Sequence, residues 1–245
     1  MNGIKGVVYR ETRVLKSRFM KTILSSSVSP LLFLLAFGYG IGRNSTVGQT
    51  GYIEFLIPGL IAMTSMNQSY GISSDINISR FYFKTFDEYL LAPCAKWEIV
   101  VGEIIYGILK GLIPVLIIFV YGYLAGAGNI PNILFVPAML VHLIIFSMLG
   151  IMVALKVKNH GDQFAVNSFV ITPMIFLSGT FYPVEHMPLA VKIIAAISPL
   201  TYTTRLIRGS VLGTDTAYLL NFSVSVAIAA ALFWLSLKIV KRIEP

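Results

Sequence analysis

The sequence predicts an all-α integral membrane protein built on six transmembrane helices. Three observations carry that expectation. Of 245 residues, 56% are hydrophobic and only 12% charged, with a mean hydropathy of +0.78, whereas soluble domains are about one quarter charged. Six runs are apolar over roughly the 20 residues that cross about 30 Å of hydrocarbon. The basic residues are also one-sided: fourteen of the nineteen lysines and arginines fall before the first run, between alternate runs or at the chain's carboxyl end, from Lys238 on. By the positive-inside rule those segments, and both termini, are cytoplasmic. The net charge of +8 then reads as cytoplasmic loops in contact with anionic lipid, not as a nucleic-acid surface. A single cysteine, Cys94, excludes an internal disulfide framework.

The elements follow in order, within one transmembrane domain over 1–245. Residues 1–22 place Ile4, Val7, Val8, Leu15 and Phe19 roughly on one helical face, with Lys5, Arg13 and Lys16 off it. This predicts a basic amphipathic helix along the inner membrane surface. The long basic stretch and the lack of a small-residue cleavage site argue against a cleavable signal. The spans are read at 23–41, 53–72, 99–125, 133–155, 164–180 and 218–240. The fifth is short and carries Pro173, tolerable where neighbouring helices satisfy the freed carbonyl.

Two connections are not plain loops. Residues 74–98 mix charge with Phe81, Tyr82, Phe83, Phe86, Tyr89, Leu90, Leu91 and Trp97, more large apolar groups than a solvated loop needs. Thr85 and Glu88 have capping-box spacing and Pro93 ends the run, so a short helix over 86–91 is expected. It presents Phe86, Asp87, Glu88, Tyr89, Leu90 and Leu91 either to a cytoplasmic partner or to the lipid interface. On the outer side, residues 182–216 hold two apolar stretches, 187–197 and 200–212, both too short to span. They read as short re-entrant helices broken at Ser198-Pro199, covered by protein or lining a cavity.

Motifs for catalysis are missing. The dipeptide Gly-Lys never occurs, so no P-loop is present, nor H-E-x-x-H, nor G-x-S-x-G. His142, His160 and His186 lie on separate segments, which disfavours a metal site. Glu103 and Lys110 are ionisable groups within the third run, and burying charge in lipid is expensive. Lys110 either lines a cavity, pairs with a neighbouring subunit or snorkels to the interface. Met66, Asn67 and Tyr70 in the second run, with Phe169 and Phe176 in the fifth, either line a pathway or form helix packing. An intramembrane transferase would need paired acidic motifs that the chain does not show. A channel or scaffold working without ATP fits the spans but leaves residues 80–97 without a role.

Several ordered stretches resemble one family. Phe55-Leu56-Ile57-Pro58-Gly59-Leu60 opens the second run, and residues 85–93 (TFDEYLLAP) occupy the loop after it. Gly102 and residues 103–111 start the third run. Residues 176–183 (FLSGTFYP), Met187-Pro188, 199–202 (PLTY), and Arg205 with Arg208 follow near the carboxyl end. Together they are similar to the membrane subunits of ABC-2 type exporters, which move drugs, nodulation factors or lipid-linked polysaccharides. The resemblance implies a type V exporter-like fold of six spans with an amino-terminal interface helix. It further implies a permease that pairs with a second copy and binds no cofactor itself. ATP and Mg belong to a separate ATP-binding cassette subunit, which docks on a coupling helix at 86–91. Phe181, Tyr182 and Tyr202 would form an outer gate. An amphipathic or lipid-linked substrate would leave the cytoplasm or inner leaflet through the cell's inner membrane.

Overall fold

The computed structural model describes residues 2–42, 45–85, 88, 91, 94–213 and 217–241. The described chain is helical almost throughout. Its helices are α1 (Asn2–Ser17), α2 (Phe19–Phe33, continued by a π-helical turn Leu34–Ile41), α3 (Tyr52–Tyr70), α4 (Ile72–Phe81), α5 (Lys96–Leu124) and α6 (Phe135–Lys156). They are followed by α7 (His160–Val166), a π turn (Asn167–Ile171), α8 (Thr172–Leu177), α9 (Leu189–Ile197), α10 (Pro199–Leu212) and α11 (Tyr218–Lys241). Two two-residue strands, β1 (Thr46–Val47) and β2 (Thr50–Gly51), make a small antiparallel hairpin before α3.

Helix α3 sits at the centre. It packs against α5, α6 and α10, and nearly all of its length is buried. Its companions approach closely because small residues meet at the seams. Gly107 and Gly111 of α5 lie against Ser147 of α6 and Ser69 of α3, with no space for a Cβ. This is the small-residue packing that membrane helices use where no hydrophobic effect drives them together. Around the centre, α2, residues 160–177, α9 and α11 turn apolar side chains outward, including Leu32, Phe164, Phe169, Ile197 and Leu219.

Among the described residues, four helices are long and apolar enough to cross a membrane: Phe19–Gly40, Lys96–Leu124, Phe135–Lys156 and Tyr218–Lys241. The other two expected spans, 53–72 and 164–180, fall on α3 and on the helical stretch 160–177, which carry more polar residues, among them Asn67, Gln68, Asp162, Gln163 and Asn167. Both termini of the described chain lie at one end of the bundle. Lys96 Nζ donates to the Lys241 carbonyl at 3.4 Å, and Gly3 of α1 abuts Cys94 and Glu98.

Two boundaries differ from the sequence expectation. The amphipathic helix stops at Ser17, not 22, and Phe19 begins α2; Val7 is the buried anchor of α1, set against Gly102 of α5. The helix after α3 continues as α4 to Phe81, so residues 74–81 are helix and not loop. The polar side chains that suggested a loop find partners in other helices. Gln163 Nε2 donates to Ser73 Oγ and Ser74 Oγ, both at 2.9 Å, and Gln163 Oε1 accepts from Asn77 Nδ2 at 2.7 Å. Pro173 stands in the first turn of α8, directly after the π turn, where proline's missing N–H costs least.

Candidate functional site

Three groups of residues stand out along the bundle. At the terminal end, the segment leaving α4 is tied to the amino-terminal helix: Arg10 Nη2 donates to Thr85 Oγ1 at 3.0 Å. The Phe81 and Tyr82 rings lie against the His160 ring at 5.7 and 5.1 Å. Tyr82 and Phe83 are nevertheless mostly exposed. Glu88 and Leu91 are helical and exposed. Phe86, Asp87, Tyr89 and Leu90 lie outside the described residues.

In the middle third, Asp75 Oδ2 accepts from Lys110 Nζ at 2.7 Å and from Tyr106 OH at 2.9 Å. Lys110 therefore has a partner within its own chain, on α4. Glu103, one turn before Tyr106 on α5, is buried. Met66 lies in the core, while Asn67 is exposed. Tyr70 OH donates to Asn167 Oδ1 at 2.7 Å, joining α3 to the π turn. Of the polar residues in the core, His142 bridges Ser65 Oγ at 3.1 Å and Thr203 Oγ1 at 3.0 Å, which ties α6 to both α3 and α10. It acts as a hydrogen-bonded packing residue.

At the opposite end, the two stretches that stood far apart in sequence meet. Tyr52 OH donates to the Phe181 carbonyl at 3.1 Å. Arg208 of α10 donates from Nε to the Phe55 carbonyl at 3.3 Å, and from Nη2 to the Gly179 and Thr180 carbonyls at 3.0 and 3.3 Å. Its guanidinium lies 3.7 Å from the Phe55 ring centroid. Gly59 touches Thr180: a Cβ there would overlap the Thr180 carbonyl oxygen. Gly179 has φ of +77°, a conformation glycine adopts without steric cost, and this turns the chain so that its carbonyl faces Arg208.

Phe181 is fully buried and packs on Phe33, Phe37 and Phe176 with centroids 5.1 to 5.4 Å apart. Tyr182 is half exposed and meets Phe37 edge-on. Tyr202 OH donates to the Ala196 carbonyl at 2.7 Å, bracing α10 against α9. Of the three residues expected to gate this end, one is a core ring and two are at the surface. Phe169 is 81% exposed and Phe176 partly so.

The contacts of Tyr52, Phe55 and Gly59 with residues 179–181 and Arg208 form a latch between α3, this turn and α10, and it gives a direct test. Gly59→Ala forces a methyl group into backbone, where overpacking costs about 1–3 kcal/mol. A drop in the thermal unfolding midpoint of purified protein is expected. Gly6→Ala, where a Cβ meets nothing within 4 Å, should hold or slightly raise the midpoint, alanine being the better helix former. Equal midpoints for the two variants would remove Gly59 from the latch.

Sequence reasoning missed Asp75, placed in a presumed loop, and Gln163, which it did not single out. The unpaired Lys110 was the available signal that an acid had to lie nearby.

Comparison with known proteins fits this arrangement. The profile of the family described as "ABC-2 type transporter" matches residues 3–212, a range that contains the Arg10–Thr85 tie, the Asp75–Lys110 pair and the whole latch. The chain is 23% identical over 243 residues to a protein named inner membrane transport permease YadH from Escherichia coli (strain K12), covering 98% of this chain and 95% of that one. It is 28% identical over 205 residues to nodulation protein J of Rhizobium leguminosarum bv. viciae, covering 82% and 79%. With nodulation protein J of Rhizobium meliloti (strain 1021) it shares 26% identity over 227 residues, covering 91% and 87%. A family match over most of the chain, on a bundle of apolar helices, means that this protein is a multi-pass membrane permease of the ABC-2 type transporter family.

Proposed function

We propose that the chain is the membrane-spanning subunit of an ATP-driven exporter, working as a pair of copies with a separate ATP-binding cassette subunit. The six spans are α2, α3, α5, α6, residues 160–177 and α11, with the termini in the cytoplasm. The observation that carries this reading is the terminal-end segment between α4 and α5. It is held to α1 through Arg10 and Thr85, yet projects Tyr82, Phe83, Glu88 and Leu91 outward. Exposed aromatic side chains on an anchored segment suit docking to a partner, an acidic side chain beside them adds charge complementarity, and residues 86–91 are the proposed contact. ATP and Mg bind on that partner.

Closure of the partner on ATP pushes this segment and, through Arg10 and α4, the helices behind it. The motion has force only if the two end states differ in their contacts. The Asp75–Lys110 pair and the latch at the far end are the contacts proposed to change. Phe181 gates by repacking its aromatic cluster, while Tyr182 and Tyr202 line the exit. The cargo is an amphipathic or lipid-linked molecule, in keeping with the exposed apolar side chains around Phe169 and Phe176.

The test is affinity purification from membranes in mild detergent, with and without Glu88→Arg. A soluble ATPase should co-purify with the native protein and fall by about tenfold with the variant, the loss of about 1.4 kcal/mol of interface energy. No ATPase with either protein would sink the exporter reading. Equal ATPase with both would move the docking site away from Glu88.

A further inference from the structure

The end of the bundle opposite the termini carries a basic cleft backed by an apolar groove, and helix α9 divides them. One cavity of about 260 Å³ is lined by Ser178, Glu185, Arg205 and Arg208, among others. A second, of about 310 Å³, shares Glu185 and Arg205 and adds Lys192, Ala196 and Tyr202. Together they form one cleft. On the other side of α9 lies a groove of about 340 Å³, lined mainly by apolar side chains, among them Phe169, Met174, Leu177, Ile194 and Ile197. Ser178 borders both the cleft and the groove.

Helix periodicity produces this division. Lys192 and Ala196 are four residues apart on one face of α9, and Ile194 and Ile197 lie on the opposite face. The cleft's charge is unbalanced. Arg205 pairs with Glu185 at 3.0 Å. Among the described residues, neither Lys192 nor Arg208 forms an ion pair; Arg208 donates instead to backbone carbonyls. Three cations thus face one carboxylate beside an apolar channel. Cations in a cleft with low-dielectric walls focus their field and concentrate anions there.

We propose that this is a binding site for an anionic amphiphile. A phosphate-bearing headgroup sits in the cleft between Lys192 and Arg205, and its hydrocarbon chain lies over α9 in the groove against Ile194, Ile197 and Phe169. The charge complementarity selects the occupant. A zwitterionic lipid gains nothing from the excess positive charge, and a free phosphate leaves the groove uncovered. The inference deepens the exporter reading by naming the chemistry of the cargo or of its carrier, and it rests on that reading for its role in transport. The binding itself does not require the ATPase.

The experiment is native mass spectrometry on the purified full-length protein in maltoside, counting lipid retained per protomer. The probes are phosphatidylglycerol and phosphatidylcholine of equal chain length, with glycerol phosphate as the chainless anion. Phosphatidylglycerol should bind about tenfold more tightly than phosphatidylcholine, and a tenfold excess of glycerol phosphate should displace little of it. Lys192→Gln with Arg205→Gln should lower phosphatidylglycerol affinity about tenfold and leave the thermal midpoint unchanged, because both side chains are at the surface. Lys156→Gln with Lys158→Gln, the same charge change at the terminal end, should have no effect. Ile194→Ser with Ile197→Ser should weaken both lipids alike.

Equal loss in the two lysine and arginine variants would reduce the effect to net charge and overturn the site. Full displacement by glycerol phosphate would assign the cleft to a free anion. Lipid found only on monomers would show that a second copy covers the groove. Loss of ATPase co-purification with Glu88→Arg leaves all of these outcomes where they stand, so the two readings fail separately.

Discussion

Replacing Arg208 with methionine is expected to cost about 3–5 kcal/mol and to release the segment around residues 178–188. The guanidinium reaches three carbonyls, those of Phe55, Gly179 and Thr180. Methionine fills much of the same volume but donates nothing. A buried carbonyl stripped of its donor loses about 1–3 kcal/mol. The sum stays below three full penalties because the adjacent cavity of about 260 Å³ admits water to part of the site. Loss of the guanidinium stacked at 3.7 Å over the Phe55 ring adds about 1 kcal/mol. Arg208→Lys keeps the charge but not the planar fork, and should fall between the two. The check is a thermal midpoint in detergent together with the rate of proteolysis at 178–188. A methionine variant with native midpoint and native proteolysis would show that the latch does not hold that segment.

The second large effect is in the membrane-facing interior. Asp75→Asn alone, or Lys110→Met alone, is expected to destabilise the protein by about 3 kcal/mol, because each leaves a largely buried charge without its counterpart. The two side chains are 22% and 13% exposed, enough to keep the cost at the low end for buried pairs. The double variant should be less destabilised than the sum of the singles by about 2 kcal/mol, the signature of direct coupling. Tyr106→Phe removes one neutral donor to the same carboxylate and should cost about 1 kcal/mol. Strict additivity of the two single effects would mean that Asp75 and Lys110 do not interact. The same variants report on function. If the pair changes between transport states, the charge-free double variant will uncouple ATP turnover from transport while still assembling.

Much of this molecule is legible in its sequence, for reasons that differ by element. The long apolar runs fix α2, α5, α6 and α11 because lipid demands length and apolarity, and both are local quantities. The pair α9 and α10 also follows from local chemistry, as Pro199 cannot continue a helix but can begin one. The extent of α4 was not legible. Ser73, Ser74, Asp75 and Asn77 look like loop residues until Gln163 and Lys110 arrive from other helices to satisfy them. The latch shows the same limit from another side. Pro58-Gly59 and Ser178-Gly179-Thr180 were recognisable as motifs, but no pattern within either stretch says that they touch. Phe181, expected as a gate residue, is buried because two of the rings packed on it, Phe33 and Phe37, come from α2 and its π-helical continuation, far along the chain. Contacts between helices are set by which small residue meets which bulky one, and a single sequence does not record such pairings.

The latch also imposes an order on the life of the protein. Tyr52 meets the Phe181 carbonyl across 129 residues, and Phe55 meets Arg208 across 153. At chain elongation rates of about 5–20 residues per second, those partners leave the ribosome about 6–30 s later. During that interval α3, the centre of the finished bundle, stands without the groups that fasten its far end. Its Gly59 groove is open, and α10, which will cover it, has not yet been made. The helix that nucleates the bundle in space is therefore among the last to be completed in time, and the newborn protein depends on whatever shields that groove until residues 178–208 arrive.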